Sequence, residues 1–338
     1  MLVVEKLTNK EDVYDFEVAD PHCFFANDIL VHNCEISLKN MQFCNLTEIN
    51  ASDIVSQEDF NKRAKVAAFI GTLQSGYTDF HYLRPEWKEN TDKDALLGCG
   101  LTGIASGTIL DLDVEQAAKC AVDENVRVAG IIGTNVSARV TTVKPSGTSS
   151  LTVGSSSGIH AWHNDYYIRR MRVGKTEALY KYMSLNFPSL IEDCKFKPHI
   201  EAVMSFPQKA PEGAITRNES VFDLLERVKR FNLQWIKPGY REGSNQHNVS
   251  CTISIKDGEW DSVGEWMWEN KDTYTGISVL PYDNGTYIQA PFEDCDKETF
   301  ERMYKSLHDI NLDNVMEETD NTNLNDQAAC AGGACTVI

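Results

Sequence analysis

Residues 58–77 (EDFNKRAKVAAFIGTLQSGY) carry apolar side chains at helical spacing behind a Ser56-x-x-Asp59 start, which predicts a capped amphipathic helix. Two further stretches repeat that period, 113–130 (DVEQAAKCAVDENVRVAG) and 219–236 (ESVFDLLERVKRFNLQWI). Between them the pattern changes. Residues 139–161 (RVTTVKPSGTSSLTVGSSSGIHA) are β-rich and broken by Gly and Ser, while 248–255 (NVSCTISI) and 286–292 (TYIQAPF) read as strands. Near the N-terminus, 13–18 (VYDFEV) and 24–31 (FFANDILV) read as short strands around a turn at Asp20 and Pro21. Helices alternating with strands predict an α/β architecture, and periodicity alone leaves open sheet and barrel both open.

Composition narrows the classes. A chain of 338 residues with 42% hydrophobic side chains can bury a substantial core. It has no apolar run long enough for a membrane span, and MLVVEKLTNKEDVYD lacks the basic flank and cleavage site of a signal peptide. A cytoplasmic protein with no membrane partner is expected. Its ten cysteines are then better read as buried thiols, metal ligands or redox groups than as a disulfide framework. A formal net charge of −18 argues against a nucleic-acid partner, because a phosphate-backbone footprint needs clustered Lys and Arg. Residues 313–326 (DNVMEETDNTNLND) are acidic and lack aromatics, as expected of a solvated linker.

Four local features carry chemistry. In VKPSGTSSLTVG, Gly147 frees the backbone while Ser146, Thr148, Ser149 and Ser150 offer N–H and hydroxyl donors, so the loop either cradles a phosphate or is a plain surface turn. It is not a P-loop, because no Gly-Lys-Ser/Thr follows. Cys330 and Cys335 enclose four small residues, which allows a thiol pair that closes and opens with redox state, in preference to a zinc site for which only two ligands are local. Glu35 stands nine residues before Cys44 in CEISLKNMQFCNL. His22, His32, Asn33 and Cys34 form the fourth group: an Asn amide can attack its own carbonyl, a His can move the proton, and a following thiol can accept an acyl group. Cys99, Cys120, Cys194, Cys251 and Cys295 show no paired spacing and read as buried small apolar groups.

Two family resemblances gather these features. Residues 1–33, with VYDFEV and DPHCFFANDILVHN ending before Cys34, resemble the C-terminal piece of a split intein. The resemblance implies that Asn33 cyclises, His22 and His32 assist proton transfer, and Cys34 accepts the incoming chain. Residues 34–338 resemble the C-terminal half of a ribonucleotide reductase large chain, most like the adenosylcobalamin-dependent class II. The likeness rests on CEISLKNMQFCNLTEIN, LLGCGLTGIASG, VKPSGTSSLTVGSSSGIHAWHNDYYIRRMR, EGSNQHNVSCTISI, VLPYDNGTYIQAPFE and CAGGAC. Implied by it are half of a ten-stranded α/β barrel over 34–312, then a flexible acidic linker and redox tail over 313–338. Also implied are Glu35 as base on the ribose 3′-hydroxyl, Cys44 as one of two reducing thiols, and Ser146–Ser150 as the holder of the substrate phosphates. Cys330 and Cys335 would pass electrons from a thioredoxin-like reductant. The family's Asn-x-Cys-x-Glu motif is cut by Cys34, so the radical Cys would come from an N-terminal half carrying its own intein piece. Adenosylcobalamin is the implied cofactor and a ribonucleotide the implied substrate. The alternatives are a catalytically inactive nucleotide-binding subunit and a diiron-dependent class I fragment.

Overall fold

The computed structural model describes the backbone of 23–26 and 29–32 and, with side chains, residues 35–243, 245–282, 288–307 and 310–316. His22, Asn33, Cys34, Cys330 and Cys335 lie outside the described residues, as does the side chain of His32. The stretch FFANDILV forms two strands where one was expected: β1 (Cys23–Ala26) pairs antiparallel with β2 (Ile29–His32). Asn27 and Asp28, residue types that favour turns, separate the two in sequence.

The rest packs as two units. The first takes in the chain up to Ile104, with Thr108–His160 and Ser220–Pro281. Here β3 (Asn45–Asn50) runs parallel to β4 (Leu97–Thr102), in register from Asn45 opposite Leu97 to Asn50 opposite Thr102. On the far side of β4, Leu97 N–H donates to the Arg139 carbonyl at 3.0 Å and Thr142 N–H to the Cys99 carbonyl at 3.1 Å, with a parallel bridge between Cys99 and Thr141. Val143 bridges Val249, again in parallel, and β8 (Thr252–Ile255) pairs in parallel with β9 (Ser278–Pro281). Five parallel segments therefore stand side by side in chain order. Parallel neighbours need crossovers, and helices supply them: α1 (Gln57–Ser75) and α2 (Pro85–Asp94) before β4, α3 (Val114–Ile132) after it, and α8 (Trp260–Glu269) between β8 and β9.

Local chemistry explains the helix ends. The Ser56 hydroxyl accepts from Asp59 N–H at 3.2 Å, as the Ser56-x-x-Asp59 pattern predicts, and Phe60, Ala64, Ala67, Ala68 and Gly71 line the buried face of α1. Asp113 caps α3, and Gly133, with φ of 77°, ends it in the left-handed conformation. Ser220 and Asp223 form a reciprocal capping box on α6 (Val221–Phe231), which continues into a π-helical turn at Asn232–Ile236 and a short α7 (Lys237–Gly239). These helices share one core with the strands, including Phe60, Leu97, Leu101, Phe231, Trp235 and Ile253. Trp235 is fully buried, and its indole N–H donates to the Thr142 carbonyl at 3.0 Å. Between the third segment and α6, α4 (Gly147–Thr152) is a single short helix.

The second unit is Ala105–Gly107, Ala161–Glu219 and the chain from Tyr282. Its sheet is antiparallel in the order β10, β5, β7, β6, formed by β5 (Tyr166–Gly174), β6 (Ile191–Asp193), β7 (Glu201–Lys209) and β10 (Phe292–Asp294). Val173, Met183, Phe187, Leu190, Ala202 and Met204 make a separate small core beside α5 (Ala178–Asn186). The helix α9 (Lys297–Lys305) follows β10. Among the described residues of TYIQAPF, 288–292, only Phe292 falls within a strand. Among the described residues no helix is long and apolar enough to cross a membrane. Cys99, Cys194 and Cys251 are buried as expected, whereas Cys120 and Cys295 are partly exposed. Cys120 falls beside the buried positions Ala117, Ala118 and Ala121 of α3, at the edge of that face.

Candidate active site

Strand geometry comes first. Side chains alternate across a strand and advance about 3.3 Å per residue, so Leu46 and Glu48 share one face of β3, and Cys44, the residue before the strand, continues that row about 13 Å from Glu48. On β4 the residues opposite Leu46 and Glu48 are Gly98 and Gly100. A Cβ at Gly98 would stand 2.4 Å from Leu46 Cδ2, 3.1 Å from Ile36 Cδ1 and 3.2 Å from Thr142 Cγ2. Gly98 and Gly100 thus make room on the face opposite the helices, and the loop bearing Glu35 and Ile36 lies there.

That loop is pinned at its carbonyls and amides. The Glu35 carbonyl accepts from the Thr142 hydroxyl at 2.8 Å and from Asn248 N–H at 3.0 Å. Two residues on, Ser37 N–H donates to His247 Nδ1 at 3.0 Å. Because Nδ1 accepts, the His247 proton belongs on Nε2, which donates to the Leu97 carbonyl at 2.8 Å. The same Nε2 stands 3.9 Å from Cys44 Sγ. Burial pushes His247 down to about 3, and the Arg139 guanidinium pushes the same way. His247 is therefore a neutral strut between the Glu35 loop, β4 and Cys44, with no role as a base at neutral pH.

Cys44 itself is held as a thiol. Burial raises its pKa well above the ordinary range, with Cys99 and Glu35 raising it further and Arg139 opposing them. A protonated thiol beside a carboxylate-bearing loop can deliver a proton and a reducing equivalent without first becoming a nucleophile. The expected pair Glu35 and Cys44 is thus brought to one place by His247, Thr142 and Asn248, none of which the sequence reading singled out. Their signal lay within NQHNVSC and VTTVKP, where a buried His is indistinguishable from a core residue until its partners are known.

The serine-rich loop divides in two. Ser146 adopts φ of 52°, a left-handed conformation unusual for a residue with a Cβ, and its hydroxyl donates to the Lys144 carbonyl at 3.3 Å. The Ser150 hydroxyl donates to the Gly147 carbonyl at 3.2 Å, so it is spent within the turn. Ser146 and Ser150 are buried, Thr148 is exposed, and Gly147 and Ser149 lie between. Glu48, also unremarked in the sequence, has both carboxylate oxygens buried with no hydrogen-bond partner. Burial pushes it up to about 7, a rise that the Ser146 hydroxyl and the Lys144 ammonium hold down and Glu35 increases.

No family model matches the chain. Among curated proteins, the adenosylcobalamin-dependent ribonucleoside-triphosphate reductase of Lactobacillus delbrueckii subsp. bulgaricus is 27% identical over 344 residues, covering 90% of this chain and 44% of that protein. The protein of the same name from Euglena gracilis is 25% identical over 314 residues, covering 89% of this chain and 41% of its own length. The crystal structure of a B-12 dependent (class II) ribonucleotide reductase superposes with a TM-score of 0.67 at 23% identity, over 83% of this chain and 42% of that one. The chain has the α/β fold of that structure over the matched part. It spans less than half the length of the curated relatives it matches.

Proposed function

We propose that this chain is the C-terminal part of an adenosylcobalamin-dependent ribonucleotide reductase, completed by splicing to an N-terminal half. The observation that carries the reading is the joint fixing of Glu35 and Cys44: one carbonyl and one imidazole tie the carboxylate loop to a half-buried, protonated thiol on a parallel half barrel. Replacing a ribose 2′-hydroxyl by hydrogen needs those two groups near one sugar. In the proposed reaction the Glu35 carboxylate takes the 3′-hydroxyl proton. Cys44 and a second thiol from the upstream half supply two electrons and two protons, one proton leaving with the 2′-oxygen as water and the other ending on C2′; the two thiols become a disulfide, and Glu35 returns its proton to the 3′-oxygen. Cys330 and Cys335 then exchange with that disulfide and are themselves reduced by a thioredoxin-like protein, since a buried disulfide cannot meet a bulky reductant directly.

The phosphates of the ribonucleotide fit the Ser146–Ser150 turn. From Cys44 to Glu48 is about 13 Å along β3, and Ser146 stands beside Glu48, so thiol and turn are spaced for a nucleotide lying along that face. When bound, adenosylcobalamin supplies the radical that begins the reaction. Its cobalt is carried by the corrin ring and needs no group of protein ligands, so the lack of three or more clustered His, Cys, Asp or Glu among the described residues does not bear on it. The cofactor therefore rests on the likeness alone, and its contacts are assigned to no residue here.

The splicing reading is supported by the His-Asn-Cys junction at 32–34. In it, the Asn33 side-chain nitrogen attacks its own carbonyl and breaks the bond to Cys34, after the Cys34 thiol has accepted the upstream acyl group. An upstream half ending in Asn-x-Cys would then rebuild Asn-x-Cys-x-Glu across Cys34 and Glu35. Mixing the chain with that half, weighing the products and assaying ribonucleotide reduction tests the whole reading. A ligated, active product is expected, and a ligated but inactive product would refute the reductase assignment while leaving splicing intact.

A further inference from the structure

Glu48 has no task in the reaction just described, yet it is the least comfortable group on the inner face. Its carboxylate lies over Gly100, where a Cβ would stand 2.6 Å from Oε2, and neither oxygen has a hydrogen-bond partner. The groups facing it come from two segments: Lys144 and Ser146 from the stretch leading into α4, and Glu35 from the pinned loop. Only Lys144 among them is cationic, and it makes no ion pair of 4 Å or less among the described residues.

We propose, resting on the ribonucleotide reading above, that Glu48 is a positioning residue that couples nucleotide binding to proton uptake. As the neutral acid it leaves the Ser146 hydroxyl and the Lys144 ammonium to the nucleotide phosphates; as the carboxylate it takes those same two donors for itself. The competition follows from the inventory. A buried carboxylate with no partner draws in any donor within reach, and a phosphate in the Ser146–Ser150 turn needs the same donors. Two anions cannot both hold them. With Glu35 adding negative charge from the loop, the lower-energy arrangement with phosphate bound has the proton on Glu48. One proton is then taken from solvent for each nucleotide bound wherever free Glu48 is ionised.

The sign follows from where the group titrates. Burial places free Glu48 near neutrality, at about 7, and bound phosphate raises it further. Below that pH the acid is already neutral and affinity is flat. Above it, affinity falls by about tenfold per pH unit until the raised value of the complex is reached. The nucleotide's terminal phosphate titrates in the same region, but it does so equally for every variant.

The experiment is calorimetric titration of a ribonucleoside triphosphate into the full chain joined to its upstream half, in paired buffers of different ionisation enthalpy, for the parent and Glu48→Gln. Glutamine keeps the shape and is neutral at every pH. The expected result is affinity in the parent that falls across the alkaline range relative to Glu48→Gln, with close to one extra proton taken up per nucleotide. Identical pH profiles with both proteins binding would overturn the inference and leave the reductase reading standing. Should the Gln variant fail to fold, the parent alone decides, because proton uptake no greater than the nucleotide's own titration overturns the coupling. Absence of nucleotide binding by either protein at any pH would sink the reductase reading and this inference with it.

Discussion

Replacing His247 by Gln tests the strut at the centre of the site. His247 accepts from Ser37 N–H at 3.0 Å and donates to the Leu97 carbonyl at 2.8 Å, in a position only 1% exposed. Glutamine can reach one of these partners but is too flexible to hold both, so at least one buried backbone group is left unpaired, at about 1–3 kcal/mol. Loss of the rigid ring's packing adds about 1 kcal/mol, giving a cost of roughly 2–4 kcal/mol at pH 7. The cost must also depend on pH. The His247 pKa is depressed in the folded chain, to about 3, so between that value and the ordinary histidine range the unfolded chain binds a proton that the folded chain refuses. Stability contributed by neutral His247 is thus fully present above the unfolded value and is lost as pH falls. The loss is about 1.4 kcal/mol per unit, or about 2 kcal/mol on going from pH 6.5 to 5. His160 is depressed by burial as well, but it is common to both proteins and cancels in the difference. Urea unfolding of parent and His247→Gln at pH 7 and pH 5 should therefore show a gap that narrows by about 2 kcal/mol at the lower pH. An equal gap at both values would mean that His247 is not held neutral, and the account of Cys44 and its surroundings would fail with it.

Four further outcomes are expected. Asn33→Ala should abolish release of residues 1–33, and Cys34→Ala should abolish ligation, both read by mass after mixing with the upstream half; efficient ligation by either variant refutes the splicing roles. In the ligated protein Glu35→Gln should bind nucleotide but lose about 10²- to 10⁴-fold in turnover, the range for removal of a general base, and near-parental turnover removes Glu35 from the chemistry. Cys44→Ser should stop turnover with any reductant, including a small dithiol, since it reduces the substrate directly. Replacing Cys330 and Cys335 together by Ser should stop turnover driven by thioredoxin while sparing a single turnover of prereduced enzyme, and parental activity with thioredoxin would show that the tail carries no electrons.

How far the sequence alone could reach depends on whether a feature is local. The Ser56 cap, the Gly133 stop and the Ser220–Asp223 box are decided within a few residues, and the helices they bound lie close to where the periodicity puts them. Parallel pairing is not local. Asn45–Asn50 meets Leu97–Thr102 across more than forty residues, and the segment 139–143 joins the sheet by bridges too short to read as a strand. Glu35 and Cys44 are legible only through the family resemblance, which CEISLKNMQFCNL carries within a few residues. Their supports are not, because His247 and Asn248 lie more than two hundred residues away and act through backbone groups that any residue possesses. Glu48 was hidden for a different reason. In NLTEIN it stands between Thr47 and the buried Ile49, as a solvent-facing residue on a half-buried strand would, and only the glycine opposite, Gly100, shows that its face is an interior one. A Gly-x-Gly on one strand beside a charged residue on its neighbour is therefore the sequence sign of a polar interior, and it becomes readable only once the register of the two strands is known.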